Sequence, residues 1–306
     1  MISIVLCSDE NYAAYSATVM VSSLINTTAP EKFVFYLLTP GLESDTENKL
    51  QTAVTRYGAQ LKIIDVDISH FNSLNIDLGR FGIGALLRLC MHQYLPKTTK
   101  KVIYLDCDLL ILGDLAELWK KSLNGLTAGA VTDLCSPETF YKRNQNYFNS
   151  GVLLIDLEKW KKEEIGEKSI TYLNNNSKKS KYPDQDALNA ILKDKHLLLD
   201  LSWNFQPTSY PAYEKSYVYL EERKDELYRS IQRPNIVHFI GSVKPWNPNC
   251  THPLQELFTA YSKKTPWPID IKKLRSTLPM LKKIRLFLKK GKIKRRRKMS
   301  KIRKMI

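Results

Sequence analysis

Asp106 and Asp108 close the run Lys101-Val-Ile-Tyr-Leu-Asp-Cys-Asp108, and their type and spacing make them the first candidates for chemistry in this chain. The β-rich residues 102–105 predict a strand, so both carboxylates fall where that strand leaves its sheet. On an extended backbone the side chains at i and i+2 project to one side, and two carboxylates held that way repel each other unless a cation lies between them. The pair therefore implies a hard divalent ion with oxygen ligands, Mg²⁺ or Mn²⁺. The plainer alternative is a polar strand exit with solvated carboxylates, since a bare Asp-x-Asp recurs by chance. Cys107, by the same alternation, faces away from the pair and is expected to pack inside.

The elements that would position this pair read as alternating strands and helices. Residues 2–7 form a first apolar strand, followed by the polar Ser8-Asp-Glu-Asn-Tyr12 and a helical pattern over 13–24. Strands at 33–38 and 61–66 flank a helix at 44–57, which predicts βαβ units, an α/β fold class and a mostly parallel sheet. A helix from Gly84 to Tyr94 carries Arg88 alone among apolar neighbours, either a solvated helix-face arginine or a partner for phosphate or carboxylate. Further on come a helix at 115–121, a strand at 128–132 ending on Asp133, and a buried strand at 148–155 in which Gly151 allows close approach to the backbone or marks a bulge. Tyr182-Pro-Asp-Gln-Asp-Ala-Leu-Asn189 reads as a helix start, with capping as the plainer role for Asp184 and Asp186. His238 ends an apolar strand that begins near Asn235; it is a core histidine or, with Gly241 and Lys244 after it, part of a diphosphate cradle. No Gly-x-Gly-x-x-Gly and no Walker lysine is present, so neither dinucleotide nor P-loop chemistry is indicated.

Composition narrows the class. The chain has 306 residues, 43% of them apolar, and no run that approaches a membrane span. Its first residues lack a basic n-region, which predicts cytoplasmic residence. Cys7, Cys90, Cys107, Cys135 and Cys250 are odd in number and scattered, which argues for reduced thiols. Of the 47 Lys and Arg, 17 lie from Ile271 onward with no acid among them, so residues 1–270 hold 30 basic against 31 acidic side chains. The net charge of +16 belongs to a tail.

Taken together, Ser8-Asp-Glu-Asn-Tyr-Ala-Ala-Tyr15, Arg88, Tyr104-Leu-Asp-Cys-Asp108, Asp133, Tyr147-Phe-Asn-Ser-Gly-Val-Leu-Leu-Ile155, Asp184-Gln-Asp186, Asn204-Phe-Gln-Pro-Thr208 and His238 through Lys244-Pro-Trp246 resemble glycosyltransferase family 8, most closely the bacterial lipooligosaccharide α-1,4-galactosyltransferases. The resemblance implies a GT-A fold and a retaining enzyme that moves a hexose, galactose ahead of glucose, from a UDP-sugar to a saccharide acceptor of lipopolysaccharide or a surface glycan. It implies that Asp106, Asp108 and His238 bind Mn²⁺. The donor would lie along Cys7, Ser8, Asp9, Asn11 and Tyr12 and against Asp106 and Cys107, with Gly241 and Lys244 at the phosphates. Arg88, Asp133, Asn149, Asp184 and Gln185 would surround the hexose, with Gln185, Asp184 and Asp133 as the catalytic candidates. Because the Gln185 amide is a poor nucleophile, same-face attack by the acceptor hydroxyl is favoured over a covalent intermediate, with Asp184 as the alternative nucleophile. Leu86 stands where many relatives carry an aromatic two residues before the motif arginine, so packing around the donor or acceptor differs.

Residues 1–268 are expected to form the catalytic domain and 269–306 a basic amphipathic tail. Over 279–306 the spacing of Leu281, Ile284, Phe287 and Leu288 among 14 basic residues predicts a helix that attaches to the anionic inner face of the cell membrane. Nucleic-acid binding through Lys294-Arg-Arg-Arg-Lys298 and a disordered solubilising tail are the alternatives; no base-stacking motif in the domain extends a nucleic-acid site. At the level of function, the alternatives are a nucleic-acid-binding domain that has lost catalysis and a sugar-1-phosphate nucleotidyltransferase. Residues 8–12 lack the glycine-rich basic loop of the latter.

Overall fold

Strand β1 (Ile2–Cys7), apolar except for Ser3, lies inside the sheet between β2 (Phe33–Thr39) and β4 (Lys101–Leu105), where both its faces are covered. The protein is described by a computed structural model over residues 1–69, 71, 82–142, 146–176 and 180–302. Further strands are β3 (Gln60–Asp65), β5 (Leu109–Ile111), β6 (Ala128–Thr132), β7 (Phe148–Asp156), β8 (His196–Leu198) and β9 (Ile236–His238). Seven of them form one sheet in the order β3-β2-β1-β4-β7-β6-β8, and β5 with β9 forms a small antiparallel pair.

The sheet is mostly parallel, as the alternation of elements predicts, with one reversal. Strand β7 runs antiparallel to both neighbours, β4 and β6. Periodicity reports which residues are extended and buried but carries no sign of direction, so this strand's sense was not readable from its pattern. Its consequence is functional: the N-terminal residues of β7, rather than its C-terminal ones, arrive at the edge where the parallel strands end.

Side-chain alternation divides the core in two. Ile4 and Leu6 of β1 pack on one face with Phe35 and Leu105, while Val5 and Cys7 pack on the other with Tyr36 and Tyr104. The helix Gly84–Tyr94 covers the second face with Leu86, Leu87, Leu89, Cys90 and Met91, all buried.

The basic tail does not trail away. The helix Met280–Met299 returns across the domain, where Arg296 donates to Glu214 at 2.8 and 2.6 Å, Arg297 pairs with Glu256, and the Lys301 amide donates to the Gln232 carbonyl at 2.8 Å. Leu281, Phe287 and Leu288 nevertheless face solvent, between 73% and 75% exposed. Of the segment read as a membrane helix, residues 303–306 lie outside the described residues. Among the described residues no helix is long and apolar enough to cross a membrane.

Candidate active site

Three backbone links assemble the site. In the β5–β9 pair Leu109 lies opposite His238, and the Phe239 amide donates to the Asp108 carbonyl at 3.0 Å. The Asp106 amide donates to the Gly151 carbonyl at 2.9 Å, which fixes the start of β7 beside the end of β4. The His238 amide donates to the Phe205 carbonyl at 2.8 Å, bringing in the 3₁₀ turn Leu201–Asn204.

Asp106, Asp108 and His238 consequently meet, with one ligand atom from each lying within 4.8 Å of the others. His238 Nε2 is 3.1 Å from Asp108 Oδ1 and 3.7 Å from Asp106 Oδ2. Two carboxylates and an imidazole are a donor set suited to a divalent metal ion. A Cβ on Gly151 would stand 2.3 Å from His238 Cε1 and 2.7 Å from Asp106 Oδ2, so only glycine leaves room for this convergence.

Charge around the cluster is arranged in pairs. Lys244 Nζ bonds the other oxygen of Asp108 and also donates to the Phe239 carbonyl at 3.1 Å. Burial works to raise the Asp108 pKa, but the charges of His238 and Lys244 outweigh it and hold this carboxyl well below its ordinary range. Arg88 is buried, bridges Asp106 and Asp184, donates to Ser150 Oγ at 2.7 Å and stacks 4.4 Å over the Tyr104 ring. Burial opposes its charge, yet the two aspartates raise its pKa well above the usual arginine range. Asp184 is raised by its own burial, against the pull of Arg88.

A chain of amides links the metal-type cluster to the remaining candidates. His238 Nδ1 is 2.9 Å from Asn204 Oδ1, and Asn204 Nδ2 donates to Asn149 Oδ1 at 2.8 Å. Asn149 Nδ2 donates to Gln185 Oε1 at 3.0 Å, and Gln185 Nε2 faces Asp133 Oδ2 at 3.4 Å. The helix Pro183–Ile191 supplies Asp184 and Gln185 from its first turn, while Asp186 does the capping work by accepting the Tyr182 amide at 3.0 Å.

These groups line two joined cavities of about 410 and 460 Å³ that share Arg88, Asp106, Asp108, Asp184, Gly241 and Lys244. Asp133, Asn149 and Gln185 line the first, and Cys7, Ser8, Asp9, Tyr12 and Cys107 the second. Asn11 is exposed and lines neither. The Cys107 thiol points inward, within 3.1 Å of Ser16 Oγ, and burial pushes it up to about 12; that of Cys7 is also raised well above its usual value by burial, so neither thiol is a reactive group. Gly241 has φ +99°, a backbone conformation that favours glycine, at the turn before Lys244. Trp246 stacks on Tyr15 with 3.5 Å between centroids, which ties the Lys244 loop to the first helix of the domain. Sequence reasoning gave no role to Asn204 and Ser150, although both lie in motif segments; only their spatial partners distinguish them.

This mostly parallel α/β sheet, with an acidic pair, a histidine and a lysine gathered beside the carboxyl ends of its strands, has the GT-A architecture of solved glycosyltransferases. The chain belongs to the family described as "Glycosyl transferase family 8", whose sequence pattern matches residues 3–250. As a member it is a retaining, UDP-sugar-dependent hexosyltransferase. It is 32% identical over 271 residues to "General stress protein A" of Bacillus subtilis (strain 168), covering 86% of this chain and 94% of that protein. It is 28% identical over 277 residues to a "Lipopolysaccharide 1,2-glucosyltransferase" of Escherichia coli, covering 85% and 77%. Among solved structures, the galactosyltransferase LgtC in complex with donor and acceptor sugar analogs is similar with a TM-score of 0.74 and 25% identity, covering 92% of this chain and 98% of that one.

Proposed function

We propose that the chain transfers galactose or glucose from the UDP-sugar to a saccharide of lipopolysaccharide or another surface glycan, with Mn²⁺ held by Asp106, Asp108 and His238. The observation that carries this reading is the convergence of those three side chains, from the turn between β4 and β5 and from the end of β9, on one point in the cleft. The ion would supply positive charge to the departing diphosphate. Lys244, on the Gly241 turn, faces the same place and neutralises charge that grows as UDP leaves, which is binding specific to the transition state. Gln185 and Asp133 would orient the hexose from the opposite wall, with Arg88 holding Asp184 in place beside them.

Same-face attack by the acceptor hydroxyl fits this arrangement better than a covalent intermediate. The Gln185 amide is a weak nucleophile, and Asp184 is engaged by Arg88 and by Ser150 Oγ at 2.9 Å. Relatives in both donor classes keep galactose and glucose open, and Leu86, buried on the helix of Arg88, is a residue around which donor packing would differ. The nucleic-acid alternative draws no support from the matched family. The outward Leu281, Ile284, Phe287 and Leu288, among the basic residues of the last helix, suit attachment to an anionic membrane surface.

A screen of UDP-sugars for hydrolysis with and without Mn²⁺ tests the reading. UDP-galactose or UDP-glucose should turn over only with the ion, and Asp106→Ala or Asp108→Ala should abolish turnover. Turnover that survives either substitution removes the metal assignment.

A further inference from the structure

A third cavity, of about 420 Å³, lies between the last helix and the domain and shares the walls Pro207 and Ile240 with the cleft that holds Asp133 and Gln185. Its helical wall presents Lys282, Arg285 and Lys289, spaced i, i+3 and i+7 and therefore on one face. The same helix spends its other arginines differently: Arg295 and Arg296 on Glu214, Arg297 on Glu256. Among the described residues no carboxylate pairs with Lys282, Arg285 or Lys289. Like charges at these spacings repel weakly, and an anion opposite them would offset that repulsion. Across from it Phe239, Val243 and Pro253 form an apolar floor. The exposed Leu281, Ile284, Phe287 and Leu288 lie largely on the other side of the helix, which leaves the cationic side for the cavity.

We propose that this cavity binds a phosphate group of the acceptor, carried on an apolar or glycan segment, while the acceptor sugar reaches the cleft past Pro207 and Ile240. The acceptor class is then a phosphorylated glycolipid or glycan rather than a neutral saccharide. The proposal rests on the hexosyltransferase reading above, which names an acceptor without its charge.

The test uses the full chain and two readouts. In calorimetry, hexyl phosphate should bind the wild type, bind about tenfold or more weakly to the Lys282→Ala/Arg285→Ala/Lys289→Ala variant, and bind normally to Lys292→Ala/Lys294→Ala/Lys298→Ala, which removes equal charge outside the cavity. Equal losses in the two variants, or binding of hexyl glucoside as tight as that of hexyl phosphate, would overturn the site. Inorganic phosphate bound as tightly as hexyl phosphate would assign the cavity to the free ion instead of an acceptor. In the second readout, an alkyl lactoside ending in a phosphate should alter UDP-hexose turnover at about tenfold lower concentration than its neutral counterpart, a difference lost in the cavity variant while turnover without acceptor is unchanged. Turnover that responds equally to both lactosides, or to neither, overturns the link to the cleft. Wild-type protein with no UDP-hexose turnover at all would refute the enzymatic reading, and calorimetry would still decide the cavity.

Discussion

Asn204 Oδ1 lies 2.9 Å from His238 Nδ1, and both side chains are buried, at 1% and 3% exposure. The amide nitrogen of Asn204 donates to Asn149 Oδ1, so its oxygen is the atom turned to the imidazole, and an oxygen there accepts a proton. His238 therefore keeps a proton on Nδ1, which leaves Nε2, beside Asp106 and Asp108, as the nitrogen a metal would take.

Replacing Asn204 by Ala should leave the imidazole free to adopt the other tautomer and weaken Mn²⁺ binding by about 10–100-fold, the usual effect of losing such a partner. A Mn²⁺ titration of UDP-hexose hydrolysis measures it. Asn204→Asp retains an acceptor and should recover part of the loss; an unaltered Mn²⁺ requirement in Asn204→Ala would contradict the tautomer argument.

Arg88 binds two carboxylates in a site where it is only 7% exposed, so Arg88→Ala leaves Asp184 buried without a counter-charge. The expected cost is about 3–5 kcal/mol of stability, read from denaturant unfolding. Because the cost comes from the stranded charge, Arg88→Ala/Asp184→Ala should lose less than the sum of the single changes. Strict additivity in that cycle would mean the pair is not coupled.

His252 should make stability depend on pH. Its Nδ1 accepts the Leu254 amide at 3.1 Å, its Nε2 is buried without a partner, and Phe239 packs against the ring at 4.7 Å. Burial first, and then the charge of Arg296, push its pKa down to about 3, below the value near 6.5 of an unfolded chain. The folded state refuses a proton that the unfolded state accepts, so the contribution is complete above the unfolded pKa and declines as pH falls toward 3. The slope is about 1.4 kcal/mol per pH unit in that window, or about 2 kcal/mol between pH 7 and pH 5. Unfolding measured across this range should show that decline in the wild type and a shallower one in His252→Leu; parallel curves would exclude His252 as the source.

Much of the architecture was legible because it is written locally. The apolar run of β1, the helix around Arg88 and the strand ahead of Asp106 are each declared by a few consecutive residues, and their boundaries agree with the structure to within a residue or two. The carboxylate pair was equally legible, since two residues on one strand cannot avoid sharing a side.

What the chain could not declare by itself is which distant residues share a point in space. His238 reaches Asp108 only through the pairing of β5 with β9, across 130 positions of sequence, and Asn204 reaches His238 only through the turn that precedes Phe205. The sense of β7, which delivers Asn149 and Gly151 to the cleft, and the return of the last helix onto Glu214 and Glu256 were decided in the same way. The physical reason is one of range: side-chain periodicity reports the geometry of a few neighbouring peptides, whereas strand pairing and ion pairing are set by packing the whole chain into one core.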